Sequence, residues 1–406
     1  MEKLYLTDST LLEFEAEVVA TGPRGVALSR TAFYPESGGQ PWDTGTLGGF
    51  RVVEVVEDAG TVWHRLEGGA LAAGAKVRGA VDRDRRLDHM RQHSGQHVFS
   101  EAFVRAANAP TVSFHLGVAS CTIDLDVPHL GASAIAKAED LANETVLADR
   151  EVRVFFPKPE EVPALRLRKP PPTVEALRIV EVAGFDVSAC GGTHVARSGE
   201  IGPIKAISTE KTKGRVRVEF LCGPRALADY RARFDALAGM AALASARWEE
   251  IPGKFSQALD ESKALRKELK GAKKRLFELE APGWLAAAPS AGPARVLARV
   301  FEGEDAALLR EAALALSRAG GAVVLFGTRS GDRAQLVFAR SGDAKAVDAA
   351  ALLALAAGKA GGKGGGGPEF AQGGVPAGAL EATIRAAEEE AKARLGVAAP
   401  PAPGVE

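Results

Sequence analysis

His93 and His97 in the segment HSGQH, together with Cys190 and His194 in CGGTH, restrict what this chain can fold into more than any other feature. Residues at i and i+4 lie above one another on a helix, so the first pair can offer two imidazoles to one ion. The second pair sits in a Gly-rich loop. Three imidazoles and one thiolate brought together form a tetrahedral donor set that suits zinc. The fold must then return a distant loop to one helix. Each pair alone is weak, since His-x-x-x-His recurs by chance and a cysteine is often only a small buried apolar residue. The conjunction is much stronger. Of the seven histidines, His64, His115 and His129 lack a partner at such spacing and read as surface or core residues. His89, four residues before His93, reads as a residue supporting the ligands or as a nucleic-acid contact.

A chain of 406 residues is too long for one ordinary core and should divide into two to four domains. Its formal net charge of −1 excludes a nucleic-acid polyelectrolyte, so any such binding must come from local basic patches. Three scattered cysteines argue against a disulfide framework and for Cys190 as a thiolate in a reducing compartment. The start, MEKLYLTDSTLLEFEAEV, carries charges where a signal peptide needs an apolar stretch. No run of about eighteen apolar residues appears. The expectation is a cytoplasmic protein with no membrane partner.

Up to Asp82, apolar and polar residues alternate between Gly-rich turns, which predicts a small β-barrel or sandwich. A helix from Asp84 to about Asn108 carries the histidine pair. Gly95 inside it should cost about 1 kcal/mol relative to alanine, which implies close approach of something to the helix. Strands at Thr111 to Leu116, Ser120 to Leu125 and Val152 to Phe156, with a helix from about Ser133 to Asp149, suggest an α+β unit. A Pro-rich basic connection, Pro157 to Pro172, precedes a strand at Leu177 to Val182 and the CGGTH loop. A hairpin, Ile201 to Ile207 and Arg215 to Phe220, follows. From Arg225 the spacing turns helical, with two helices broken at Pro252 forming an antiparallel hairpin or a spacer arm. Pro282 opens an Ala/Gly-rich α/β region. The closing Pro/Ala tail should be disordered.

Two loops could carry chemistry. Gly361 to Pro368, containing GGKGGGG, could turn several backbone N–H groups toward a phosphate beside Lys363, or lie on a ligand or a second subunit. It is not a Walker loop, so nucleotide hydrolysis is not expected. In TAFYPESGGQPWDTG, Gly38 and Gly39 could form a tight turn presenting the Gln40 amide, which can orient a water or a ribose without titrating.

In order along the chain, FYPESGGQPWDTG, HSGQH, CGGTH and GGKGGGGPEFAQGG resemble the editing half of alanyl-tRNA synthetase and the AlaX alanyl-tRNA editing proteins, in the long form with a C-terminal DHH-associated domain. The resemblance covers nearly the whole chain. It implies an α+β multidomain protein: a β-barrel Gly-Gly-Gln module over 1–82, a zinc editing core over 83–224, a helical hairpin spacer over 225–282, an α/β DHH-associated domain over 283–397 and a tail over 398–406. It implies hydrolysis of misacylated tRNA(Ala), chiefly Ser-tRNA(Ala) and also Gly-tRNA(Ala). Zn2+ would be held by His93, His97, Cys190 and His194, and the protein would form a homodimer through the C-terminal domain. No segment resembles the aminoacylation domain, so no ATP is expected. Many relatives carry an acidic residue shortly before the cysteine, whereas the nearest acid here is Asp186.

On this reading Gln40 and Cys190 are the candidate catalytic residues, and Thr31, Gly38, Gly39 and Thr193 contact substrate. Lys205, Lys211, Lys213, Arg215 and Lys363 contact nucleic acid, with Arg217 and with Arg83, Arg85, Arg86 and Arg91 beside the histidine helix. Two rivals remain: a threonyl-type editing hydrolase, and a non-catalytic tRNA-binding zinc protein. A phosphoesterase is disfavoured because the Asp-His-His half is missing.

Overall fold

The computed structural model describes residues 1–171 and 176–396. The chain divides into two compact units, Met1–Trp248 and Glu249–Glu406. The expected tail over 398–406 lies outside the described residues.

In the first unit six strands close on themselves: β1 (Glu13–Gly22), β2 (Gly25–Leu28), β3 (Gly45–Leu47), β4 (Phe50–Asp58), β5 (Thr61–Glu67) and β6 (Lys76–Val81). Each strand pairs antiparallel with the next in the order β1-β2-β5-β4-β3-β6, and β6 returns to β1. Period-two alternation sends Phe14, Ala16 and Val18 of β1 inward, where they meet Val26, Leu28, Phe33, Val52 and Val62.

Asp82 ends β6 and caps helix α1 (Arg83–Ala107), its carboxylate accepting from Asp84 N at 3.1 Å and Arg85 N at 3.3 Å. Asn108, with φ 47°, terminates the helix. A sheet of β7 (Thr111–Leu116), β8 (Cys121–Leu125), β12 (Ile204–Thr212) and β13 (Arg215–Cys222), in the order β12-β13-β8-β7, packs with α1 and α2 (Ala132–Leu147) around Phe99, Phe103, Ile123 and Phe220. A second small sheet joins β9 (Val152–Phe155), β10 (Ile179–Val182) and β11 (Asp186–Ala189). The last of these strands is absent from the sequence reading. Four residues between a glycine turn and a glycine loop are too few to show a period.

The close approach implied by Gly95 comes from the end of β13. A methyl group built on Gly95 would sit 2.2 Å from Cys222 Sγ and 3.3 Å from Ile201 Cγ2. Gly95→Ala should therefore destabilise the protein by about 1–3 kcal/mol although alanine is the better helix former. Adding Cys222→Ala should restore most of the loss. Urea unfolding of the two variants checks this, and an unchanged midpoint for Gly95→Ala would contradict it.

Helix α3 (Pro224–Leu243) ends the first unit, and α4 (Ile251–Ala287) opens the second. Pro252 falls in the first turn of α4, where its missing N–H costs nothing. The expected change at Pro282 is no break in the structure, because α4 continues through it to Ala287. Phe277 and Ala281 before it, with Trp284 and Leu285 after it, pack on the second unit's core, and that burial outweighs the lost hydrogen bond. The sheet here contains β14 (Ala294–Glu302), β15 (Ala322–Ser330), β16 (Arg333–Arg340), β17 (Lys363–Gly366) and β18 (Phe370–Pro376), with Ser290–Ala291 pairing beside β14. Val324 and Phe326 face α4 and α5 (Ala306–Arg318), whereas Val323 and Leu325 face α6 (Ala349–Lys359) and α7 (Leu380–Gly396).

The GGKGGGG segment is an edge strand rather than a phosphate-cradling loop: Lys363–Gly366 pairs antiparallel with Ala371–Gly374. Gly364 here and Gly373 on β18 serve packing, since Cβ atoms on them would lie 2.3 and 2.8 Å from Leu353 Cδ2 of α6. Among the described residues no helix is long and apolar enough to cross a membrane.

Candidate metal centre

Helix α1 delivers His93 and His97 from adjacent turns, and the loop after β11 delivers Cys190 and His194. One donor atom from each of the four lies within 4.8 Å of all the others, with the three histidines buried and Cys190 half-buried. Cys190 Sγ stands 3.4 Å from His93 Nε2 and 3.3 Å from His194 Nε2. A tetrahedral ion with bonds of about 2.3 Å to sulfur and about 2.0 Å to nitrogen puts S and N about 3.5 Å apart, so these residues fit one such cation.

The network behind the ligands fixes which nitrogen faces the centre. His93 Nδ1–H donates to Gln40 Oε1 at 2.8 Å and His97 Nδ1–H to Asp186 Oδ2 at 3.0 Å, while His194 Nδ1 shares a hydrogen bond with the Ser94 hydroxyl at 3.0 Å. Each ring thereby turns Nε2 toward the centre, and in neutral His93 and His97 that nitrogen carries the lone pair that metal-binding imidazoles require.

Burial opposes ionisation of Cys190, but His93, His194 and His97 outweigh it and hold the thiol well below its usual range. Burial pushes His194 down to about 3, keeping it neutral. It also opposes charge on His97, yet the Cys190 thiolate and the Asp186 carboxylate raise that imidazole to about 9. The cluster thus calls for one positive charge, supplied by a proton on His97 or by a cation.

Gln40 is fully buried. Ser37 and Gln40 exchange backbone hydrogen bonds at 3.2 and 2.9 Å across Gly38 and Gly39, whose φ values of 55° and 83° only glycine adopts readily. The turn aims the amide at the CGGTH loop. Gln40 Nε2 donates to Thr193 Oγ1 at 2.9 Å, while Gln40 Oε1 accepts from Thr193 N at 3.1 Å as well as from His93. Both Gln40 and Thr193 are therefore committed to holding His93 and the loop. Thr31 is engaged elsewhere: its hydroxyl donates to His64 Nε2 at 2.8 Å and accepts from Phe33 N at 3.1 Å inside the ring of strands. His89 is buried, contributes no donor to the cluster, and is lowered to about 4, chiefly by burial.

Several basic candidates are neutralised. Lys205 pairs with Glu139 at 2.8 Å, Arg215 with Asp126 at 3.5 Å and Arg217 with Asp124 at 2.7 Å. Lys211 and Lys213, beside the hairpin turn, have no ion pair among the described residues. Arg85 and Arg91 donate to the carbonyls of Trp42 and Glu200. Arg86 is wholly buried against Asp43, which removes it as an RNA contact. Lys363 is exposed on β17 in the second unit.

Sequence reasoning missed Ser94, although it lies inside HSGQH, because a serine between ligands has no distinctive spacing. It left Asp186 open. The structure places this carboxylate on His97 and pairs it with Arg168 at 2.8 Å. Burial would raise its pKa, but His97 and Arg168 lower it, so it remains an anion. Asp186→Asn should weaken metal affinity by about 10–100-fold with the fold retained. Chelator competition measures this, and wild-type affinity in the variant would remove the assigned orienting role.

The family described as threonyl and alanyl tRNA synthetase second additional domain matches residues 177–219, around the CGGTH loop. Class II (A) tRNA synthetases match residues 5–85, and the DHHA1 domain matches residues 294–393. The alanine–tRNA ligase of Methanoregula boonei is 34% identical over 92% of this chain and 42% of its own length. That of Korarchaeum cryptofilum is 34% identical over 92% of this chain and 43% of its own. Among solved structures, the C-Ala domain of Aquifex aeolicus alanyl-tRNA synthetase is 25% identical over 27% of this chain and 96% of that one, with a TM-score of 0.24. The chain spans about two-fifths of the length of these ligases. The chain is thus similar to alanyl-tRNA synthetases over most of its length, with a match to the second additional domain that contributes Cys190 and His194 to a His3Cys cluster and a match to the DHHA1 domain in its second unit.

Proposed function

We propose that this protein is a trans-editing hydrolase that cleaves the ester of misacylated tRNA(Ala), chiefly Ser-tRNA(Ala) and secondarily Gly-tRNA(Ala), with zinc in the His93, His97, Cys190 and His194 cluster. The observation that carries this reading is the cluster itself: four soft and borderline donors, of which Cys190 and His194 lie in the segment matching the synthetase second additional domain and His93 and His97 are oriented by Gln40 and Asp186. Zinc would supply a fixed positive charge that orients the aminoacyl end. Gln40 holds His93 and Thr193 in register, and the buried surroundings exclude bulk water. Lys211 and Lys213 offer salt-sensitive contacts to acceptor-stem phosphates. The homodimer through the C-terminal domain follows from the family resemblance, and an exposed apolar row on the preceding stretch of α4, comprising Leu265, Leu269, Leu276 and Leu279, is compatible with self-association.

One observation favours a second reading, in which zinc is structural and the protein binds tRNA without turnover. All four tetrahedral positions have a protein donor, the pattern of closed zinc sites. Incubation with Ser-, Gly- and Ala-tRNA(Ala), with and without chelator, separates the two. Editing predicts chelator-sensitive release of serine with Ala-tRNA(Ala) spared. Tight binding with no release would establish the second reading.

A further inference from the structure

Arg178, immediately before β10, grips Cys190 from both sides of its peptide. Its backbone carbonyl accepts from Cys190 N at 3.1 Å, and its Nη1 donates to Cys190 O at 2.6 Å. Its Nε donates to Leu6 O at 2.7 Å. The residue is only 6% exposed, yet Nη2 is buried and has no hydrogen-bond partner. Its charge interacts with Tyr34, whose hydroxyl donates to Ser37 O at 3.1 Å in the Gly-Gly-Gln turn, and with Tyr5, whose ring meets Tyr34 edge-on at 5.3 Å. Burial and the Cys190 charge push the Tyr34 phenol up, so it stays protonated and can donate or accept.

We propose that Arg178 is a specificity-determining residue of the editing site, its free Nη2 donating a hydrogen bond to the side-chain hydroxyl of the esterified serine. The inference rests on the editing reading above. A buried guanidinium N–H with no acceptor is costly, and a ligand that brings an oxygen removes the cost. Alanine brings a methyl group instead and leaves the donor unpaired, which is how a site rejects an analogue lacking one hydroxyl. Glycine offers no oxygen either, so serine should rank first.

The test compares seryl-tRNA(Ala) with 2-aminobutyryl-tRNA(Ala), in which a methyl group replaces the hydroxyl at nearly constant volume. For the wild-type protein kcat/KM should favour serine by roughly 10–100-fold. In Arg178→Met and Arg178→Lys, each assayed with its bound metal quantified, that ratio should fall to within about 3-fold of one. A wild-type ratio near one is the result expected if Nη2 merely holds a buried water, and it overturns the proposal while leaving editing intact. A ratio unchanged in metal-loaded Arg178→Met overturns it equally. Should both variants fail to fold or to hold metal, the wild-type ratio alone decides. Hydrolysis of neither ester by the wild type defeats the editing reading, and this inference with it.

Discussion

Cys190→Ala should leave a folded protein that no longer retains metal, and hydrolysis of Ser-tRNA(Ala) should fall to background, at least about 100-fold below wild type. Cys190 is the anionic member of a set whose other three members are imidazoles, two of them within 3.4 Å of its sulfur. Without the thiolate, a divalent ion in this buried site keeps three neutral donors and no local counter-charge except Asp186, which acts through His97. His97 loses one of the two anions that raise its pKa, so its proton also becomes easier to lose. The fold should survive, because Cys190 is only half-buried and the surrounding core is built by Phe99, Phe103, Ile123 and Phe220. Metal analysis, circular dichroism and a deacylation assay on one preparation check all three statements. Full activity in a metal-free sample would remove the metal from the account.

Arg86→Met should destabilise the first unit by about 3–5 kcal/mol, the largest stability loss expected from one substitution here. Arg86 and Asp43 are both fully buried. The guanidinium binds the Asp43 carboxylate through Nε at 3.1 Å and Ser9 O through Nη1 at 2.7 Å, while Asp43 Oδ2 also accepts from Tyr34 N at 2.7 Å. Methionine fills the volume and leaves the buried carboxylate with the Tyr34 N hydrogen bond but no counter-charge. Asp43→Asn added to Arg86→Met should recover part of the loss, a coupling that a double-mutant cycle measures. The same variant should loosen the centre, since Ser9, held by Arg86, accepts from His194 N at 3.2 Å through its hydroxyl. Unfolding in urea with a loss below about 1 kcal/mol would show that the buried pair is replaceable.

The metal cluster was legible because its ligands lie in two short motifs, one with helical spacing and one in a glycine loop, and the structure gathers all four. Helix α1 was legible to within a residue at either end, since Asp82 and Asn108 cap it and Pro110 follows. What the sequence concealed depends on partners distant along the chain. Arg86 reads as one of a run of surface arginines until Asp43 is placed beside it. Asp186 reads as an acid at unfamiliar spacing until β11 brings it to His97. Thr31 reads as a polar residue near the Gly-Gly-Gln turn, and nothing local reveals that its hydroxyl is held by His64. GGKGGGG has the composition of a loop, and only its pairing with Ala371–Gly374 and the packing of Leu353 on Gly364 reveal an edge strand there. Pro282 carries the strongest helix-breaking tendency of any residue type, yet α4 runs through it because its apolar face is already docked.

The central claim is that one zinc ion is shared by a helix and a distant loop. X-ray absorption at the zinc edge on the full chain, purified with its metal, tests it most directly. The account predicts one ion per chain with a single sulfur at about 2.3 Å and three imidazole nitrogens at about 2.0 Å. A stoichiometric ion with no sulfur neighbour, or a full-length protein that takes up no metal at micromolar zinc, would contradict it.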